Sequence, residues 1–508
     1  MKNERTTAVR HHKVRVRAPG EKLARDSQLA WGIAEVATDR VPSPPEIVEI
    51  VIDRVIDNAA AAAAAFNSDP VASARAQALA HPRTGGAAIL GLPRGQTAHC
   101  EWAAWANCAA VRELDYHDNF FDLDPCHPGD NIQPVLAVAQ QCNRTGEDVI
   151  RGIVTAYEIQ IDLAKGIPLN LFNIDHIAHL GPAMTAGVAA VLDLPVETAY
   201  QAIQQSAHVS YSTRQARKGA ISSWKGHAPG HVAKLAIEAV DRAMRGETSP
   251  SPLYEGEYSV IAGMVGGPKA TYTVPLPEKG EPKRGILETF TKEHAAGYHG
   301  QAAVDLAIRM RGVIKDFEAI ESIVIESKRY THVGMGSGSS DPEKWDPNAS
   351  RETLDHSLMY MFAVALQDGE LHHARSYAPE RARRPDTVRL WRKIRTVEDP
   401  AWNRRYDGLP PLQKDHGCRA VFTFKNGETI VDEIAVPNAH PRGATPYRRE
   451  DYVRKFLKLS EGIVTRGEAD RFLSVVHRLP KLGADELRDL NVEADQALLR
   501  RPVYRAIF

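Results

Sequence analysis

The chain has 508 residues, 43% hydrophobic and 25% charged, which is enough for the large buried core of a globular protein. Its 63 Lys+Arg balance 64 Asp+Glu to a net charge of -1, so no global field draws it to nucleic acid or an anionic membrane. No stretch reaches the ~20 apolar residues of a membrane span. Five cysteines without a C-x-x-C point to a reducing compartment, read as the cytoplasm.

The N-terminus, MKNERTTAVRHHKVRVRAP, is basic and lacks the apolar run of a secretory signal. Residues 1–25 read as a flexible basic arm, with a transit peptide as the alternative. The segment 43–66 predicts a helix: Ser43 as cap, Pro44 in the first turn, Glu46 completing a capping box, then Ile47, Ile50, Val51 and Val55 on one face. Its alanine run, 59–65, predicts close packing against neighbours. Further Ala-rich helices are predicted at 101–114, 132–142, 147–164, 182–192, 196–208 and 228–245, with no strand before about residue 270.

A Pro-, Gly- and charge-rich stretch at 266–285 changes the texture. Beyond it come a helix at 300–312, a β-branched strand at 321–327 and a helix at 356–367. Asn426-Gly427 between two strand-like runs of 419–436 predicts a tight hairpin. Residues 448–508 return to helix. The reading is a mostly α protein: an all-α domain over 26–270 and 444–508, with a smaller α+β domain inserted at 271–443.

The densest polar segment, 113–140, holds Asp115, His117, Asp118, Asn119, Asp122, Asp124, His127, Asp130 and Asn131 between two apolar helices. A capped surface loop would explain the acids, but less well the interleaved Tyr116, Phe120 and Phe121. Asp130 or Asn131 is expected to cap the next helix, leaving N–H groups for a substrate carboxylate. Elsewhere, His176 and His179 precede a small-residue helix, and Lys225 follows Trp224 near His227 and His231. Lys292, His294 and His299 fall in the inserted unit, and Tyr330 stands at a strand end before a Gly/Ser loop without a nucleotide-binding signature. Taken alone, His176 and His179 read more often as packed histidines than as catalysts, and Lys225 as a solvated side chain. Cys100, Cys108, Cys126 and Cys142 have no ferredoxin-type spacing and read as buried thiols. His117-Asp118 with its acidic neighbours leaves a metal-dependent hydrolase open, although no H-E-x-x-H-like ligand set accompanies it.

The runs LDYHDNFFDLDPCHPGDN, WKG, YHGQAA and SIVIESKRYTH resemble the MmgE/PrpD family, in order from about residue 30 to 460. The resemblance implies an all-α domain with an α+β lid, a homodimer, and a site in the cleft between them. It implies a cofactor-free lyase that eliminates water from 2-methylcitrate, a small tricarboxylate of propionate catabolism, to give 2-methyl-cis-aconitate. On this chain the family pocket falls on Asp115, His127, His176, Lys225, Lys292 and Tyr330, with His299 as a further lid histidine. Asn119 stands where many relatives have Thr, and His231 where Asn or Asp is common, which would alter the pocket floor.

The implied chemistry needs a base, an acid and cations, because the proton is weakly acidic and hydroxide leaves poorly. His127 and His176 are assigned as the acid–base pair, Asp115 as the orienter of an imidazole, and Tyr330 as a donor to the leaving hydroxyl. Lys225, Lys292, Asn119, Asn131 and His299 are expected to bind substrate. Rival readings are cis-aconitate decarboxylation or epimerisation within the family, the metal-dependent hydrolase, and a non-catalytic helical scaffold whose polar clusters do not converge.

Overall fold

A computed structural model describes residues 8–501 and 506–507. Strand β1 (Val9–Arg15) leads into α1 (Leu29–Thr38), α2 (Pro45–Ala65) and α3 (Asp69–Leu79). Short strands β2 (Pro82–Ala88) and β3 (Thr97–Ala98) precede α4 (Cys100–Arg112); β4 (Phe120–Phe121) and β5 (Pro125–Cys126) follow it. Then come α5 (Ile132–Gln141), α6 (Gly146–Gly166), α7 (Ile177–Leu192), α8 (Val196–Ser210), α9 (Trp224–Met244), α10 (Val260–Met264) and strand β6 (Thr271–Pro277).

The helices form where apolar periodicity and small residues coincide. In α2, Ile47, Val51, Ile52, Val55, Ile56 and Ala59 to Ala63 are all buried, so the alanine run packs as expected. Its start differs from the prediction: Pro44 is the N-cap, no side chain caps the helix, and Glu46 pairs with Arg284 at 3.0 Å. Glu46 still lies at the positive end of the helix, where a carboxylate is favoured. The α6–α7 contact depends on two glycines. A Cβ on Gly187 would lie 2.8 Å from both the Gly152 carbonyl oxygen and the Ala156 methyl group.

Two expectations about the first half are corrected. Five strands, β1 to β5, stand before residue 270, and the basic arm is not free where it is described. Residues 9–15 pair antiparallel with β6, from Val9 opposite Pro277 to Arg15 opposite Thr271. Buried Val14, Val274 and Leu276 glue this ribbon to the core of α1, α6, α7 and α8. Gly32 and Gly166 allow the approach: a Cβ on either would fall within 3 Å of ribbon atoms. Strand β6 thus packs with the helical core, although the sequence placed residue 271 onwards in the inserted unit. The first seven residues lie outside the described residues.

The second core spans Ala296 to Phe422. It contains α11 (Gln301–Arg311), β7 (Ile320–Ser327), α12 (Arg329–Gly334), α13 (Arg351–Leu354), α14 (Leu358–Asp368), β8 (Ile394–Glu398), β9 (Cys418–Phe424) and β10 (Thr429–Ile434). Four strands form one sheet in the order β10-β9-β7-β8, with β7–β8 parallel and the other pairs antiparallel. The hairpin turn is as predicted, with Gly427 at φ +85°. Helices Arg449–Ser460 and Arg466–Val476 return to the core of α2 and α4. The protein is mostly α. Among the described residues, no helix is long and apolar enough to cross a membrane.

Candidate active site

The site is assembled where the helical core meets the sheet unit. After α4 the chain turns sharply at Asp115, which holds a left-handed φ of 49°. That turn aims its carboxylate at Lys292, 2.9 Å away, and at Arg112, 3.0 Å away. Lys292 also donates to the Asp115 carbonyl at 2.6 Å. Burial alone would raise the Asp115 carboxyl, but Lys292 and Arg112 hold it well below its ordinary range. Burial lowers the Lys292 ammonium to about 8 despite that partner.

Two imidazoles stand edge-to-face beside this pair, with His127 and His176 ring centroids 5.1 Å apart. They differ in their partners. His176 Nδ1 lies 2.7 Å from Asp175 Oδ1, and Asp175 is held in turn by Arg217 at 2.8 Å. A proton on Nδ1 leaves the His176 Nε2 lone pair free when the ring is neutral. His127 Nδ1 instead accepts from the Asn119 amide at 2.7 Å, so its neutral form carries the proton on Nε2. Burial pushes both rings below their ordinary value, and for His127 the nearby Arg112 adds to this.

The sheet unit contributes the other flank. Lys225 at the start of α9 reaches Asp355 at 2.9 Å and His356 Nδ1 at 3.2 Å. Asp355 also receives Arg351 at 3.0 Å and a close contact from His356. Burial would raise the Asp355 carboxyl, but Lys225 and its neighbours bring it down to about 2. His356 Nε2 faces Asp115 Oδ2 at 3.8 Å, which joins the two flanks. Five residues chosen from sequence (Asp115, His127, His176, Lys225 and Lys292) therefore converge, and Asn119 joins them through His127.

Sequence reasoning missed Arg112, Asp175, Arg217, Asp355 and His356. Asp175 was within reach as the neighbour of His176. Asp355-His356 carried the same signal as the predicted segment, acid and imidazole directly before the apolar helix LMYMFAVAL.

Several expectations fail. Asn131 is fully buried, and its Nδ2 donates to the Pro128 carbonyl and to Gln160, while its Oδ1 has no partner. A buried 3-10 turn, Pro128–Asn131, precedes α5, no side chain caps that helix, and Asp130 pairs with His117 at 2.9 Å. The Gly129 N–H at the start of that turn already donates to Asp118 at 2.8 Å. His231 is exposed and lies tilted against Trp224, with ring centroids 5.9 Å apart. His179 bonds the Ile167 carbonyl, His227 the Ser223 carbonyl, and His294 pairs with Asp305. The donors of the hydrolase reading diverge, with Asp118 on Arg54 at 3.1 Å and His117 on Asp130. Among the described residues, no three His, Cys, Asp or Glu side chains stand grouped to hold a metal. Asp122 faces Lys414, and Asp124 accepts from the Leu169 and Asn170 amides. Cys100, Cys108 and Cys126 are buried thiols, but Cys142 is exposed.

Tyr330 and His299 form a separate group. Tyr330, on α12 and 47% exposed, stacks on His299 at 6.4 Å and meets Tyr406 at 5.6 Å. His299 in turn packs on Phe121 at 4.8 Å.

A helical protein with an inserted sheet and a buried pair of imidazoles, each held by a polar partner, has the construction of an acid–base enzyme. Residues 27–273 match the MmgE/PrpD N-terminal domain and residues 294–481 the MmgE/PrpD C-terminal domain, and the chain belongs to that family. It is 26% identical to a mitochondrial 2-methylcitrate dehydratase of Yarrowia lipolytica over 76% of this chain and 75% of the relative. It is 27% identical to the 2-methylcitrate dehydratase of Escherichia coli K12, over 77% and 82%. A 2-methylcitrate dehydratase-like protein of Aspergillus oryzae is 24% identical over 65% and 68%.

Proposed function

We propose that the protein eliminates water from 2-methylcitrate, giving 2-methyl-cis-aconitate. The reading is supported by the relatives named 2-methylcitrate dehydratase and carried by one observation: the buried imidazoles of His127 and His176 stand edge-to-face with centroids 5.1 Å apart, one against the Asp175 carboxylate and the other against the Asn119 amide. His176, backed by Asp175 and Arg217, takes the C2 proton on Nε2. The C–H electron pair forms the alkene, and the C3–O bond breaks. His127 delivers a proton from Nε2 to the departing hydroxide, so that water leaves.

To serve as acid, His127 must be charged, and Asp115 at 3.8 Å favours that form. A tricarboxylate entering the cleft adds about three negative charges and favours it further. Asn119 accommodates the change. Its Oδ1 has no partner, so turning the amide over lets it accept Nδ1–H from a charged His127. Lys292 and Lys225, each already beside a carboxylate, hold Asp115 and Asp355 in place and set a positive field for the growing charge. Closure of the sheet unit over the cleft would exclude water during the step.

The test is an ultraviolet assay of the full chain with 2-methylcitrate, citrate and cis-aconitate offered separately. A rise in alkene absorbance with 2-methylcitrate supports the reading. A fall with cis-aconitate accompanied by carbon dioxide replaces it with decarboxylation, and silence with all three removes tricarboxylates altogether.

A further inference from the structure

Beside the imidazole pair lies a second buried polar group for which the proposed chemistry has no use. Lys328 stands between β7 and α12, is 1% exposed, and its Nζ has no hydrogen-bond partner or ion pair; it rests 4.9 Å from the centre of the Tyr406 ring. The other buried lysines among the described residues are all engaged. Lys225, Lys292, Lys414 and Lys455 face Asp355, Asp115, Asp122 and Asp57, while Lys283 and Lys344 donate to carbonyls.

The surroundings of Lys328 are equally short of partners. His416 is wholly buried with neither ring nitrogen bonded, and His299 Nδ1 and the Tyr298 hydroxyl are also unbonded. These rings are neighbours: His416 lies 5.3 Å from Tyr406, 5.0 Å from Tyr298 and 6.0 Å from His299. Phe121 closes the wall at 5.1 Å from His416. Burial lowers the Lys328 ammonium to about 7, although Cys418, Asp415 and Asp407 draw it back up, and burial together with Lys328 holds both imidazoles well below their ordinary value.

Buried polar atoms without partners cost folding free energy, so several in one place point to a partner that arrives. A cation would be repelled by the lysine, and an apolar ligand would leave the donors unmet. An anion accepts from the lysine and from the N–H and O–H donors around it. The group also opens in the right direction. His299 is its partly exposed member and stacks on half-exposed Tyr330, while Phe121 in β4 pairs through β5 with the segment that carries His127.

We propose that Lys328, with His299 and His416, forms a carboxylate-binding subsite that holds an end of the substrate remote from the reacting carbons. The inference rests on the tricarboxylate reading above and adds to it the cation that is free to take a carboxylate, which Lys225 and Lys292 are not. The substrate it fits is a polycarboxylate long enough to reach from the imidazole pair to Lys328.

Calorimetry of the full chain with tricarballylate, which has no hydroxyl to eliminate, tests binding apart from turnover, and inorganic phosphate serves as the competing anion. Lys328→Met is expected to weaken tricarballylate binding by about 10–100-fold, the size of a lost hydrogen bond to a charged group. Lys328→Arg should recover most of it, and KM for 2-methylcitrate should rise with Lys328→Met more than kcat falls. His416→Phe is the second probe if Lys328→Met does not fold, and it should weaken binding in the same sense. Unchanged tricarballylate binding in these folded variants, or a loss confined to phosphate, overturns the subsite. Lys328-dependent tricarballylate binding without turnover of 2-methylcitrate upholds the subsite and removes the proposed reaction.

Discussion

Two clusters of the same residue types, a few side chains apart, are built on opposite principles. Around His127 and His176 every cation has a carboxylate: Lys292 and Arg112 share Asp115, Arg217 holds Asp175, and Lys225 and Arg351 share Asp355. Around His299 and His416 the lysine has none. A saturated network fixes geometry and tautomers before substrate arrives, and an unsaturated one leaves binding capacity unused. Residue composition cannot tell the two apart; pairing can.

The comparison breaks first at the imidazoles. His176→Ala should lower kcat by about 10²–10⁴-fold while circular dichroism stays unchanged, the range for loss of one positioned base. A folded variant with near wild-type turnover would remove His176 as the base.

The next contrast is one of stability. Lys292→Met strands the Asp115 carboxylate in the interior and should cost about 3–5 kcal/mol in urea unfolding. Lys328→Met strands no partner and should leave stability equal or higher. Equal losses in both variants would mean that Lys328 has a structural counter-charge after all.

A pH series sharpens the same point. Folded Lys328 sits near about 7 against an ordinary 10.5, so between those values the unfolded chain binds more protons. Wild type therefore gains stability as pH rises through that window, while Lys328→Met lacks this contribution. The margin of the variant over wild type should be flat below about pH 7 and shrink towards about pH 10. A margin that grows with pH would reverse the assignment of an uncompensated buried ammonium.

The smallest effect is expected far from both clusters. Gly427→Ala forces a Cβ into the left-handed turn of the β9–β10 hairpin and should cost about 1–2 kcal/mol with kcat unchanged. An altered kcat would show that the hairpin communicates with the site.

Much of this was legible in the sequence. The helices were legible because α2, α4 to α9 and their breaks follow local rules of periodicity and small-residue packing. The β9–β10 turn was legible because Asn-Gly meets a local need for positive φ. The convergence of Asp115, His127, His176, Lys225 and Lys292 came from motif resemblance, since these residues are far apart in sequence. The resemblance supplied positions without partners. It could not foresee that Asn131 turns inward to Gln160, that His231 faces solvent on Trp224, or that Asp355-His356 closes the ring from the sheet unit. Nor could it foresee that the basic arm becomes the partner strand of β6, because strand pairing across more than two hundred residues has no local signature.

By itself the sequence determined most of the helical elements, the presence of strands in the second half, and which histidines, lysines and acids were available for chemistry. These follow from short-range periodicity, turn stereochemistry and residue type. Only the tertiary structure decided which nitrogen of each imidazole is free, which lysines are already neutralised, and which one is left without a partner. Those properties depend on distances between side chains brought together from remote segments, and on burial, which makes an unmet charge costly and a met one rigid.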